Sequence, residues 1–297
     1  MIDERTCFMD VRVFDERVVG KVDTFETLRK LKKRYPDYEF SVMVLEEFIP
    51  EDMKYGIVVS PTLDVRKDPR FRSERVHQLI FGEEVKILSV GEDYSLVKDL
   101  RTGYIGNVKN EGLFFMSESE YADYVELNVE KLKGLFGRVH GYSKMVIPFC
   151  SHLRCDERGY VLPNGNYFEM EILGNLENDD IVKLSLEFIG VPYLWGGTSN
   201  FGFDCSGFVN RLYDFQGKDL PRDTDQLENF TKEVSLNEIE PGDLMFFPGH
   251  VGMYIGEGKM IHSSGKYGRI VISSILEPND EYERFLRKSL RKVGRVL

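Results

Sequence analysis

The apolar positions of this chain change period several times. From Thr24 to Tyr35, Phe25, Leu28 and Leu31 recur at helical spacing among basic residues, which predicts a surface helix. Pro50 and Gly56 mark a boundary. After it the pattern shortens to strands: 57–60, 63–66, 77–81, 85–90, 95–98 and 104–108, with turn residues at close intervals, as in a small β-barrel. Residues 118–133 read as a helix. A second short-strand region follows over 135–172, with a turn at Pro163-Asn164-Gly165-Asn166. Asn178-Asp179-Asp180 then caps a helix carrying Ile181, Leu184 and Phe188 on one face, ended by Gly190 and Pro192. Asp204 is an N-cap type ahead of Phe208, Val209, Leu212 and Phe215, again at helical spacing. From Pro241-Gly242-Asp243 onward the pattern is strand-rich, and Glu281 to Lys292 adds a last helix or strand. Helices first and an antiparallel sheet afterwards predict an α+β fold for the final region. The boundaries drawn are 1–50, an extension; 51–117, a barrel; 118–174, a helix plus a second β region; and 175–297, an α+β domain. No period long enough for a solenoid is found.

Composition narrows the class. The 297 residues are 42% hydrophobic and 30% charged, ordinary for a globular protein, and they suffice for two or three cores. A net charge of −11 argues against nucleic acid or an anionic membrane as the partner. The four cysteines, Cys7, Cys150, Cys155 and Cys205, are too few and too irregular for a disulfide framework. No apolar run is long enough to span a bilayer, and the first residues lack the basic and apolar regions of an export signal. A cytoplasmic protein is the plain expectation; a protein whose signal had been removed would read the same way.

Chemistry concentrates in two stretches. Cys205 stands at the start of its helix, where the positive end of the backbone dipole favours thiolate over thiol. A cysteine nucleophile needs a base, and the base an orienting partner. His250 and His262 lie on strands joined through Gly256-Glu257-Gly258, which reads as a β-hairpin. A three-residue loop puts both histidines on one face; a two-residue turn puts them on opposite faces. The rival reading is zinc held by Cys205, His250 and His262, with a fourth ligand missing. Cys150 and Cys155 flank His152, but without a fourth ligand they read as packing in a β region, and His77 and His140 as surface or core residues. Gly196-Gly197 is a tight turn lacking the lysine of a phosphate loop. Trp195, the single tryptophan, either lines a groove or packs under the helix.

Six pieces in one order, 192–197, 204–208, 221–224, 241–244, 249–256 and 261–264, are similar to the NlpC-type cell-wall peptidases, which have a papain-like α+β fold. The resemblance implies that Cys205 is the nucleophile, His250 its base, His262 the orienter of that base, and Tyr193 a helper at the oxyanion. It implies no metal and no organic cofactor. Asp204, Ser206 and Trp195 are further substrate-binding candidates. The first β region, through Leu63-Asp64-Val65-Arg66, Phe81-Gly82-Glu83 and Gly103-Tyr104-Ile105-Gly106, resembles bacterial SH3-like barrels, with Asn107 where a tryptophan is usual. The whole layout, one or two such barrels ahead of the peptidase, resembles γ-D-glutamyl-L-diamino acid endopeptidases acting on murein peptides with a free N-terminal L-Ala. In that subgroup Glu83 and Tyr104 would hold the ammonium, with Asp223 and Thr224 adding to the pocket, and the role would be recycling of wall peptides. The alternatives are an acyltransferase on the same fold, an exported hydrolase of intact wall, and a non-catalytic wall-binding protein.

Overall fold

The computed structural model describes residues 3–141, 144–176 and 180–297, so the cap expected at Asn178 and Asp179 lies outside the described residues. The chain forms two units: 1–129 with 154–167, and 130–153 with 168–297. No helix among the described residues is long and apolar enough to cross a membrane.

The first unit opens with β1 (Met9–Phe14), β2 (Arg17–Val22), α1 (Phe25–Arg34) and β3 (Glu39–Val44). β1 and β2 are antiparallel, and α1 carries the chain across so that β3 runs parallel to β2. The helix sits where its spacing predicts, with Thr24 as N-cap accepting from Thr27 N–H. Leu31 buries against Val18, Val22 and Val44. Next come β4 (Tyr55–Val58), β5 (Thr62–Arg66), β6 (Arg75–Ile80), β7 (Glu84–Val90), β8 (Tyr94–Asp99), β9 (Ile105–Lys109) and β10 (Leu113–Met116). They form one antiparallel sheet in the order β10-β4-β7-β8-β9-β5-β6. The predicted strands are all present, and β10 is added. Val58, Leu63, Val65, Leu79, Val85, Ile87, Val97 and Val108 alternate inward from it as a shared core.

The helix expected over 118–133 ends early. α2 covers Glu118–Val125, closed at its start by a Ser117–Glu120 capping box, and β11 follows at Asn128–Lys131. Val125, Leu127 and Val129 alternate with polar residues, a period of two that the helical reading passed over. The short-strand region falls partly in each unit. β12 (Gly134–His140) pairs with β13 (Met145–Pro148) and β16 (Tyr167–Asn175) in the second, while β14 (His152–Asp156) and β15 (Gly159–Val161) meet as a hairpin at Cys155 and Asp156 in the first.

The second unit then runs through α3 (Ile181–Leu186), the short pair β17 (Thr198–Ser199) and β18 (Gly202–Phe203), α4 (Cys205–Phe215), α5 (Thr224–Phe230) and β19 (Lys232–Val234). β20 (Leu244–Phe247), β21 (His250–Gly256), β22 (Lys259–Ser264), β23 (Arg269–Ser274), α6 (Glu281–Ser289) and β24 (Lys292–Arg295) complete it. The last segment is thus both helix and strand. The sheet order is β19-β24-β20-β21-β22-β23, antiparallel throughout. α4 lies across β21 and β22 and is buried from Cys205 to Asp214. Phe203 and Phe208 at its start meet Phe188 edge-on. Its end is a Schellman turn: Gly217 N–H donates to Asp214 O and Lys218 N–H to Tyr213 O, with Gly217 in the left-handed region at φ 78°.

Candidate active site

The first turn of α4 is fixed from several sides. Asp204 is in extended conformation ahead of Cys205, and its Oδ1 accepts from Gly207 N–H at 2.6 Å. Its Oδ2 accepts from Gly196 N–H at 3.0 Å, so the 192–197 loop is tied to the cap. A Cβ on Gly207 would fall on the Gly197 carbonyl oxygen, well inside contact distance. That close approach requires glycine two residues after the cysteine. Arg222, buried, closes a fork on Asp204, with Nη2 2.6 Å from Oδ2 and Nη1 3.1 Å from Oδ1. Cys205 is therefore the first helical residue of a pinned N-terminus, 8% exposed.

The histidines come from β21 and β22, and the turn between them differs from both expected forms. Gly256 pairs with Lys259 across a two-residue turn at Glu257 and Gly258, whose φ angles of 50° and 71° suit a type I′ turn. Ile255 is bulged out, so Tyr254 then pairs with Met260 and Met253 with Ile261. The bulge supplies the residue that a three-residue loop would have, and parity is restored. A Cβ on Gly252 would lie 3.0 Å from His262 Cβ. His250 and His262 share a face, with Nε2 of the first 2.8 Å from Nδ1 of the second. His262 Nε2 is 3.1 Å from Ser273 Oγ on β23. Two nitrogens sharing a tetrahedral zinc at about 2.0–2.1 Å each would stand farther apart than this. The pair is hydrogen-bonded to itself.

Electrostatics at the sulfur oppose the expected thiolate. Burial, and then the Asp204 carboxylate, push the Cys205 thiol up to about 11. The N–H groups of Val251 and Ser206 and the Thr224 hydroxyl pull the other way; Thr224 Oγ1 is 3.8 Å from Sγ. Helix-end polarity is real, but desolvation outweighs it here. Burial pushes His250 down to about 4; burial and the charge of His250 push His262 down to about 3. At neutral pH the thiol keeps its proton and both imidazoles are neutral. Tyr193, whose N–H donates to Gly268 O, is pushed up to about 12 by burial and by Cys205 and Asp204, and stays a hydroxyl donor.

The structure thus gathers Cys205, Tyr193, Asp204, Ser206 and Thr224 around the start of α4, and His250 with His262 on the hairpin beside Val251. Trp195 is 61% exposed, which favours the groove over the packed reading. Asp223 caps α5, its N–H donating to Gln226 Oε1 at 3.2 Å. The Arg222 guanidinium grips Asp204. Glu83 and Tyr104 belong to the first unit. Glu83 is buried, with Oε2 accepting from Ile80 N–H at 2.8 Å and Oε1 3.5 Å from Arg101 Nε. Tyr104 is buried with its ring centroid 5.4 Å from that of His77. Cys150 and His152 turn to Asp214 on α4, at 3.5 and 3.8 Å, where Lys131 and Arg211 also converge. Arg222 and Ser273 were not read as site residues from sequence. A place in the matched piece 221–224 was the available signal for the first; for the second there was none.

The NlpC/P60 family matches residues 190–287. A Bacillus subtilis protein named gamma-D-glutamyl-L-lysine dipeptidyl-peptidase is 31% identical over 243 residues, 78% of this chain and 74% of that one. A Bacillus cereus protein of the same name is 43% identical over 93 residues, 29% of this chain and 28% of its own. The crystal structure of an NlpC/P60 family protein from Bacillus cereus matches with a TM-score of 0.67 at 22% identity, over 81% of this chain and 99% of that one, a likeness of fold. The chain belongs to the NlpC/P60 family and is a cysteine peptidase.

Proposed function

We propose that the protein is an endopeptidase cutting the γ-D-glutamyl-L-diamino acid bond of murein peptides that carry a free N-terminal L-Ala. The observation that carries this reading is the hydrogen-bonded His250–His262 pair on the hairpin packed against α4, the helix that Cys205 opens. The name and extent of the Bacillus subtilis relative support the bond and the substrate class. Cys205 attacks the γ-carbonyl carbon as its proton passes to His250, which then protonates the leaving amine. The backbone N–H of Cys205 and the Tyr193 hydroxyl receive the developing oxyanion. Water, activated by His250, releases the L-Ala-D-Glu acyl group. His262 orients the base, and Asp204, Ser206, Trp195, Asp223 and Thr224 line the peptide. The β sheet of the first unit acts as an SH3-like module whose Glu83 and Tyr104 read the alanine ammonium. Arg101 already shares that carboxylate, so the gain lies at the low end of the roughly 1.5–3 kcal/mol of a charged hydrogen bond. Free-amine selectivity fits recycling of wall peptides in the cytoplasm.

Mass spectrometry of products from free L-Ala-γ-D-Glu-L-Lys, its N-acetyl form and intact sacculi tests this. The free tripeptide should give L-Ala-D-Glu and lysine, with the acetylated form about tenfold slower by that magnitude and sacculi nearly untouched. Efficient release from sacculi would remove the recycling role. Absence of γ-D-glutamyl cleavage in all three would remove the substrate class. In Glu83→Gln, acetylation should add little further loss; full additivity would remove Glu83 as the amine reader.

A further inference from the structure

Both neighbours of Cys205 in sequence are held by one cation. Arg222 Nη1 and Nη2 clasp the two oxygens of Asp204, and Nη1 also donates to Ser206 Oγ at 2.9 Å. The guanidinium is 1% exposed, so its charge is unscreened and must be met inside the protein. Its aim is fixed by α4 itself: Asn210 Nδ2 donates to Leu220 O at 2.9 Å and Pro221 O at 3.0 Å, fastening the backbone just before Arg222 to the helix it serves. Asp204, one residue from the sulfur, also accepts from the N–H groups of Gly207 and Gly196 and, at 3.4 Å, from Ser206 Oγ.

We propose that Arg222 is a positioning residue for the peptidase reaction, holding the cap of α4 in register and balancing the Asp204 carboxylate so that the neighbouring thiol can ionise. The proposal rests on Cys205 being the nucleophile. A carboxylate beside a thiol disfavours a second negative charge, and a bidentate guanidinium on that carboxylate offsets the effect. The same cation opposes the rise at Tyr193, which Asp204 promotes, so its field reaches the hydroxyl that faces the oxyanion. Lysine would supply the charge without the fork and is not equivalent.

The test is the rate of Cys205 alkylation by iodoacetamide across pH, with labelling mapped by mass spectrometry, and kcat and KM on the free tripeptide. Arg222→Gln should slow alkylation near pH 8 by about tenfold or more, because an unbalanced carboxylate beside the sulfur shrinks the thiolate fraction by that factor. It should lower kcat more than it raises KM. Arg222→Lys should fall between. Adding Asp204→Asn to Arg222→Gln should recover alkylation, because no unbalanced carboxylate is left beside the sulfur. A folded Arg222→Gln protein with the native alkylation profile overturns the proposal, as does a double variant that recovers nothing. If Arg222→Gln fails to fold, Arg222→Lys decides in the same way: a native profile in that variant overturns it. Turnover by a folded Cys205→Ala protein would instead overturn the nucleophile assignment, a failure distinct from that of Arg222.

Discussion

His250 Nε2 and His262 Nδ1 face one another at 2.8 Å, and the far nitrogen of His262 reaches Ser273 Oγ. With Nε2 engaged, Nδ1 is the nitrogen of His250 that would take the thiol proton in the proposed reaction. With that nitrogen as the acceptor, Nε2 of His250 carries hydrogen and donates to Nδ1 of His262. Nε2 of His262 then carries hydrogen and donates to the serine. Each ring fixes the tautomer of the next, from β23 through β22 to β21.

The three residues of this line should therefore lose activity in graded steps. His250→Ala removes the proton acceptor and should cost about 10³-fold in kcat/KM, within the usual range for a general base. His262→Gln retains an acceptor oxygen for the His250 N–H and should cost less, about 10- to 100-fold. Ser273→Ala leaves the His262 proton without its partner and should cost a few-fold, on the order of one neutral hydrogen bond. Steady-state kinetics on the free tripeptide check the order; a greater loss in His262→Gln than in His250→Ala would exchange their roles.

The two ends of α4 predict opposite sensitivities to one added methyl group. At Gly207 the methyl would land on the Gly197 carbonyl and within 2.9 Å of Asp204 Oδ1, so the cap must break or the loop must move. Overpacking against backbone puts the cost at about 3 kcal/mol or more. At Gly217 nothing lies within 4 Å of the new Cβ, and only the left-handed conformation at φ 78° is strained, at about 1–2 kcal/mol. Urea unfolding of Gly207→Ala and Gly217→Ala should show this gap. Turnover should survive in the Gly217 variant and collapse in the other. Equal destabilisation would mean the loop yields at Gly197.

Local pattern was a good guide to α1, α4 and the strands of the first sheet, because each buries one regular face. It misread 126–133, where a polar alternation resembles a helix surface until β pairing claims it. The site was legible where residue type is rare, at Cys205 and the histidines. It was illegible where ordinary residues act through tertiary neighbours: Arg222, eighteen positions from the aspartate it grips, and Ser273, on a strand with no other chemistry. The hairpin register shows the limit most sharply. Neither turn length alone described it, since a bulge at Ile255 changes parity without leaving a composition signal. Thiol acidity was also misjudged, because a helix end can be read from sequence and desolvation cannot.

Burial of these neutral groups should shape stability against pH in two windows. Unfolded imidazoles titrate near 6.5, whereas native His250 and His262 take protons only at about 4 and about 3. Between those values the unfolded chain binds more protons, so stability is full above about 6.5 and is lost as pH falls toward 4. Cys205 acts in the other direction. Its native thiol holds its proton to about 11, against 9.0 when unfolded, so its contribution is full below 9 and is lost as pH rises from 9 toward 11. Every tenfold difference in proton affinity between the folded and unfolded chain is worth about 1.4 kcal/mol, reduced for His250, whose side chain keeps partial contact with water. Urea unfolding at pH 7 and pH 4 should show native protein losing about 1–2 kcal/mol more than His262→Gln, since the amide takes no proton in either state. Cys205→Ala should flatten the alkaline limb between pH 8 and pH 10.5 by a similar amount and leave the acid limb unchanged. Native and His262→Gln curves running parallel down to pH 4 would mean that His262 is charged in the folded protein, and the neutral relay through Ser273 would fall with it.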